Sequence, residues 1–118
     1  MSLENFLEQL NKTPDSIEFD DVIAIIDANY TYTPTAFRNG DQENTTGQNE
    51  GSCKILAFGQ VNNLDKEKTL NCFGKYYRED VLNDPDGDNH QNIRQFMQHG
   101  WSGINFPNPA LKKKHSKK

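Results

Sequence analysis

A mainly α fold, with about five helices around one core and a small β-hairpin near residues 36–44, follows from three features of this 118-residue sequence. Apolar residues recur every three to four positions through most of the chain, the period of a helix with one buried face. Clusters of Gly, Pro, Asn and Asp separate those stretches. Asn39-Gly40, flanked by short extended stretches, is the strongest hairpin signal.

Ser2 is placed to cap a first helix whose Leu3, Phe6, Leu7 and Leu10 share one face. Thr13-Pro14-Asp15-Ser16 ends it. A second helix carries Val22, Ile25, Ile26 and Tyr30 on its buried stripe, with Asp20 or Asp21 as cap. Pro34 makes the stretch before it extended, and the hairpin pairs residues 36–38 with 41–44. Residues 45–51 hold no apolar side chain, so they lie at the surface or wrap something polar. Residues 53–61 are apolar on most sides, which predicts a buried central helix, with a buried strand as the alternative. Asp65 caps what reads as the longest helix, with Leu70, Phe73, Tyr77 and Val81 inward and Gly74 admitting a close neighbour. Asn83-Asp84-Pro85-Asp86-Gly87 breaks it. Asp88 and Gln91 form a capping-box pattern for the last helix, which buries Ile93, Phe96 and Met97 and stops at Gly100. Residues 101–106 are extended and pack back on the core.

The length allows one domain, read as residues 1–111, with 112–118 a disordered basic tail. Seven Phe, four Tyr and one Trp help a chain that is 33% hydrophobic close a core. Net charge is −4, but five of the thirteen basic residues lie in 112–118, so the body is strongly acidic. That argues against nucleic acid as a partner. The longest aliphatic run, residues 22–26, is far short of the ~20 residues a membrane span needs. No secretory leader is visible at the N-terminus. Two cysteines do not make a disulfide framework, so reduced thiols in a cytoplasm are expected.

Chemistry-bearing residues are few. Asp84-Pro85-Asp86-Gly87-Asp88 is similar to the start of a helix-loop-helix calcium loop. Gln95 stands where the bidentate glutamate belongs, Asn89 at the glycine position and Gln91 at the aliphatic one. No metal is assigned, and no cofactor is implied. Cys53 falls in the first turn of a predicted helix, where unpaired N–H groups and the helix dipole favour a thiolate. His90 is its candidate base and Asn92 the candidate to orient the imidazole, with Asn49 and Asn89 as alternatives. A cysteine-dependent, hydrolase-like enzyme is thus one reading. A core thiol and a helix-end histidine explain the same residues, and a non-enzymatic binding domain is preferred. Its surface would combine Asn39, Asn49 and Ser52 of the polar loop with Arg78, Arg94 and Trp101. The two arginines with His90 would suit a carboxylate or phosphate, or pair with Glu79, Asp80, Asp84 and Asp86. Lys54, inside an apolar stretch, reaches solvent or meets a buried acid. The asparagines hold the long loop's backbone or line a polar groove.

Four stretches in order carry a resemblance: residues 30–40 (Tyr-Thr-Tyr-Thr-Pro-Thr-Ala-Phe-Arg-Asn-Gly), 49–54 (Asn-Glu-Gly-Ser-Cys-Lys), 69–82 (Thr-Leu-Asn-Cys-Phe-Gly-Lys-Tyr-Tyr-Arg-Glu-Asp-Val-Leu), and 90–97 (His-Gln-Asn-Ile-Arg-Gln-Phe-Met) followed by Gly100-Trp101. Together they resemble the HopJ type III effector family of bacterial proteins over about residues 17–111. The resemblance brings no activity, cofactor or catalytic residue. It implies a bacterial protein injected into host cells, with a host protein as partner, or one kept in the bacterial cytoplasm; on the residues alone the partner is a protein or a small polar ligand.

Overall fold

The computed structural model describes residues 2–114. Its helices are α1 (Leu3–Lys12), α2 (Phe19–Asn29), α3 (Glu50–Val61), α4 (Lys66–Asn71) and α5 (Gln91–His99). A 3₁₀ turn (Pro14–Ser16) links α1 to α2, a π-helical segment (Tyr76–Val81) follows α4, and a second 3₁₀ turn (Gly100–Gly103) follows α5. The strands are β1 (Tyr30–Tyr32), β2 (Phe37–Asn39), β3 (Gln42–Asn44), β4 (Ile104–Asn105) and β5 (Leu111–Lys113). Two antiparallel sheets result, a β1-β5 ribbon and a three-stranded β3-β2-β4 sheet. The fold is therefore mixed, helical in the main but not purely so.

α3 is the central helix. Ile55, Leu56, Ala57, Phe58 and Gly59 are all buried in succession, which a helix achieves only when neighbours surround it. Phe6 of α1 and Tyr30 of β1 both meet Phe58 edge-on, at 5.9 and 6.0 Å between ring centroids. Ser2 caps α1 as expected, its Oγ accepting from Asn5 N at 3.1 Å. The hairpin forms around Asn39-Gly40, with Phe37 opposite Asn44 and Asn39 opposite Gln42.

Several expectations change, among them the extended reading of residues 101–106, of which 101–103 belong to the 3₁₀ turn and Ile104–Asn105 alone form a strand. Tyr30 does not lie within α2 but ends it: its N–H still donates to Ile26 O, while its extended backbone (φ −134°, ψ 150°) begins β1 opposite Lys113. Neither Asp20 nor Asp21 caps α2; both sit in its first turn, favourable to the dipole, behind Glu18. The presumed longest helix is two pieces. Its chain turns through Gly74 at φ +63°, then winds as a π-helix closed by Leu82 N donating to Tyr77 O at 3.0 Å. A Cβ on Gly74 would come within 2.7 Å of Phe19 N, so glycine here meets both a left-handed turn and a backbone crossing. Finally, Lys112 and Lys113 are strand residues rather than tail. Thr31 faces Lys112, and Lys114 N donates to Asn29 O at 3.0 Å. Residues 115–118 of the expected tail lie outside the described residues.

Candidate functional site

Two helices begin side by side. Asn49 precedes α3 at φ 54°, ψ 52°, and His90 precedes α5 at φ 52°, ψ 51°, the left-handed conformation in both. In neither case does a side chain cap the helix. The expected capping box at Asp88 is not formed; Gln91 Nε2 instead donates to Asp88 O at 2.9 Å. The first-turn N–H groups of both helices thus lack the side-chain acceptor that usually satisfies them.

A network of four asparagines fixes this arrangement. Asn39 Nδ2 donates to Asn92 O at 2.7 Å and to Asn92 Oδ1 at 3.1 Å. Asn92 Nδ2 donates to Asn44 Oδ1 at 3.0 Å, and Asn44 Nδ2 returns a bond to Asn92 Oδ1 at 3.2 Å. Asn49 Nδ2 donates to Asn44 Oδ1 at 2.7 Å, so it ties the hairpin to α3 instead of capping that helix. Asn39, Asn44 and Asn92 are all buried. Buried amides hold position only when paired, and here the pairing links β2 and β3 to the starts of α3 and α5.

Between the two helix starts lies a cavity of about 470 Å³. Gly51, Ser52 and Asn49 line it from α3, and His90, Gln91, Asn92 and Ile93 from α5. Gln42 of β3, Tyr76 of the π segment, Phe73 and Phe19 complete it. Phe19 packs edge-on against Tyr76 at 5.2 Å. Gly51 lets α3 begin over the Phe19 ring, since a Cβ there would lie 2.9 Å from Phe19 Cζ.

Cys53 is not part of this cavity. It is the fourth residue of α3, 1% exposed, and its N–H already donates to Asn49 O at 3.0 Å. Its Sγ faces Thr35 O at 3.9 Å, and burial pushes the thiol up, away from a thiolate. His90 turns elsewhere, with Nε2 3.2 Å from Asp80 Oδ2 and its ring tilted on Tyr76. Asn92 serves the amide network and not the imidazole. The three proposed catalytic residues are not assembled.

Among the proposed binding residues, Asn49 and Ser52 reach the cavity, and Asn39 supports it from behind through Asn92. Among the described residues, Arg78 and Arg94 pair with no acid, and their guanidinium groups are instead spent on carbonyl oxygens. The Arg78 guanidinium donates to carbonyls of Pro14, Ile17 and Asn71, pinning the α1–α2 connection to the turn after α4. Arg94 donates to Asp84 O at 2.8 Å, Asn89 O at 2.6 Å and Asn89 Oδ1 at 2.6 Å. Its guanidinium therefore lies among the oxygens of the calcium-like loop. Among the described residues, no cluster of three or more His, Cys, Asp or Glu is arranged to hold a metal. Trp101 donates to Leu64 O at 2.8 Å and packs edge-on against Phe96. It also helps line a separate hollow of about 300 Å³. Lys54 pairs with Asp27 at 3.0 Å and lies over the Tyr32 ring.

Sequence reasoning missed Gln42, Tyr76, Gln91 and Asp80 as parts of one place. Tyr76 did carry a signal: it is an aromatic offset from the buried stripe that Tyr77 occupies.

Comparison with known proteins adds kinship without chemistry. The family model described as HopJ type III effector protein matches residues 3–111. A crystal structure of VPA0580, a protein described as of unknown function, superposes with a TM-score of 0.95 at 54% identity, covering 97% of this chain and 95% of that one. No curated protein matches the chain. Matched along nearly its whole length, this chain belongs to the HopJ type III effector protein family.

Proposed function

We propose that the protein is a binding module, without catalysis of its own, that takes a small polar ligand into the cavity between α3 and α5. One observation carries this reading: two helices start at the same cavity with no side-chain caps, and its lining sets Gln42, Ser52, Tyr76, His90 and Gln91 beside the apolar Phe19, Phe73 and Ile93. Uncapped N–H groups are good donors to a ligand acceptor. The cavity volume suits a small molecule. The amide network supports the same reading, because a site needs its donors held in place before the ligand arrives.

The test is a titration of ¹⁵N-labelled full-length protein with glucose, acetate and sulfate at millimolar concentrations. Binding of any one should move amide resonances of Gly51, Ser52, Gln91 and Asn92 together. Ser52→Phe, which fills the cavity, should abolish those shifts while the rest of the spectrum is kept. Absence of clustered shifts with all three probes would overturn the reading.

The family is described as type III effector proteins, and delivery by type III secretion into a host cell, with a host protein as partner, is the localisation we propose on that ground. Among the described residues no helix is long and apolar enough to cross a membrane. A reporter fused to residues 1–30 that stays inside a type III-competent strain would remove the export proposal.

A further inference from the structure

The groups that line the cavity narrow the ligand class, an inference that rests on the binding reading above. Two lining hydroxyls, Ser52 Oγ and Tyr76 Oη, make no hydrogen bond with any described residue. Gln42 and Asn49 spend their amide nitrogens inside the protein. Gln42 Nε2 donates to Glu43 O at 3.3 Å, and Asn49 Nδ2 to Asn44 Oδ1 at 2.7 Å. Their carbonyl oxygens, Gln42 Oε1 and Asn49 Oδ1, are left without a donor among the described residues. A carbonyl oxygen only accepts, whereas a hydroxyl both donates and accepts. The polar part of the wall is therefore matched by a ligand that brings donors as well as acceptors. An oxyanion, which only accepts, does not meet it.

Charge and shape restrict the ligand further. The described lining holds no Asp, Glu, Lys or Arg, and Asp80, outside it, is engaged by His90 at 3.2 Å. A ligand with a net charge of either sign would give up water with no counter-charge in the wall. The apolar part of the wall includes Phe19 and the Tyr76 ring, which meet edge to face with 78° between their planes. They make a corner, not two parallel plates, so a flat aromatic ligand is not sandwiched there. The C–H groups of a puckered ring, by contrast, settle well on an electron-rich aromatic face. We propose that the ligand is a neutral, polyhydroxylated ring of the saccharide class. Its hydroxyls donate to Gln42 Oε1 and Asn49 Oδ1 and exchange hydrogen bonds with Ser52 and Tyr76. Its C–H face rests in the corner of Phe19 and Tyr76.

Glucose, glucuronate and glucosamine are the probes, titrated into ¹⁵N-labelled full-length protein at about pH 6.5, where the acid is ionised and the amine protonated. The charged sugars keep the glucose ring and each alter a single substituent. Glucose should move the Gly51, Ser52, Gln91 and Asn92 amides, and both charged relatives should bind at least about tenfold more weakly. Gln42→Leu removes one acceptor, and Tyr76→Phe removes one hydroxyl while keeping the ring. Each should weaken glucose binding about three- to tenfold. Glucuronate or glucosamine binding as tightly as glucose would overturn the proposal, as would an unchanged glucose affinity in both variants. If acetate or sulfate moves the cavity amides and glucose does not, the saccharide assignment fails and the binding reading stands. If glucose, acetate and sulfate all leave them unmoved, both fall.

Discussion

The carboxamide of Asn92 exchanges hydrogen bonds with Asn44 in both directions and accepts from Asn39, all in a buried setting. Each amide in the cluster is worth little against water, but a partner left alone costs its full desolvation. Asn92→Leu should therefore destabilise the protein by about 2–3 kcal/mol. Asn44→Leu should cost a similar amount, and the double variant clearly less than the two together, because the second change removes a group already orphaned. Urea denaturation of the three variants measures this. Additive losses would show that the amides act separately. Cys53 makes the opposite point at the same scale. Its position near a helix start gives it no activation, since its side chain turns inward, where burial favours the neutral thiol.

At the scale of elements, the turn between α4 and the π segment decides how the cavity closes. Tyr76 and Asp80 both belong to that segment, so the change of direction at Gly74 places the two groups that meet His90. Gly74 and Gly47 share positive φ, at +63° and +85°, but a Cβ on Gly47 meets nothing within 4 Å. Gly47→Ala should cost about 1 kcal/mol, the backbone penalty alone. Gly74→Ala adds a clash with the α2 backbone and should cost at least about 3 kcal/mol. Urea midpoints of the pair separate backbone strain from packing, and equal losses would show that the crossing with α2 relaxes freely. Arg78 works on the same elements by joining the α1–α2 connection to the turn after α4 through carbonyl oxygens.

For the whole molecule, the buried thiols set an alkaline limit. Burial pushes Cys72 from a usual value of 9.0 up to about 12, and also raises Cys53 and Tyr77. The unfolded chain releases the Cys72 proton first, so this contribution is intact below about pH 9 and is lost as pH rises toward 12. Stability should fall by on the order of 1 kcal/mol per pH unit in that window from Cys72 alone. Urea melts at about pH 8, 9.5 and 10.5 should show the decline, and Cys72→Ala should flatten it. A parent profile no steeper than that of Cys72→Ala would contradict the assignment. Much of the architecture was legible in the sequence because helix faces and turns are local. The stripe Leu3, Phe6, Leu7, Leu10, the Ser2 cap, the Asn39-Gly40 hairpin and the all-round apolar α3 follow from neighbours within a few positions. So do the family stretches, which are strings of adjacent residues. Strand β5, the break at Gly74 and the fate of Arg78 were not legible, because each depends on partners far away in the chain. The cavity belongs to that second group. Asn44 and Asn92, or Tyr76, Asp80 and His90, become one site only when the packing of the core brings separate elements together. Sequence alone determined which segments coil, turn and bury; tertiary packing decided which polar groups face one another, since side-chain chemistry acts over a few ångströms of space and not along the chain.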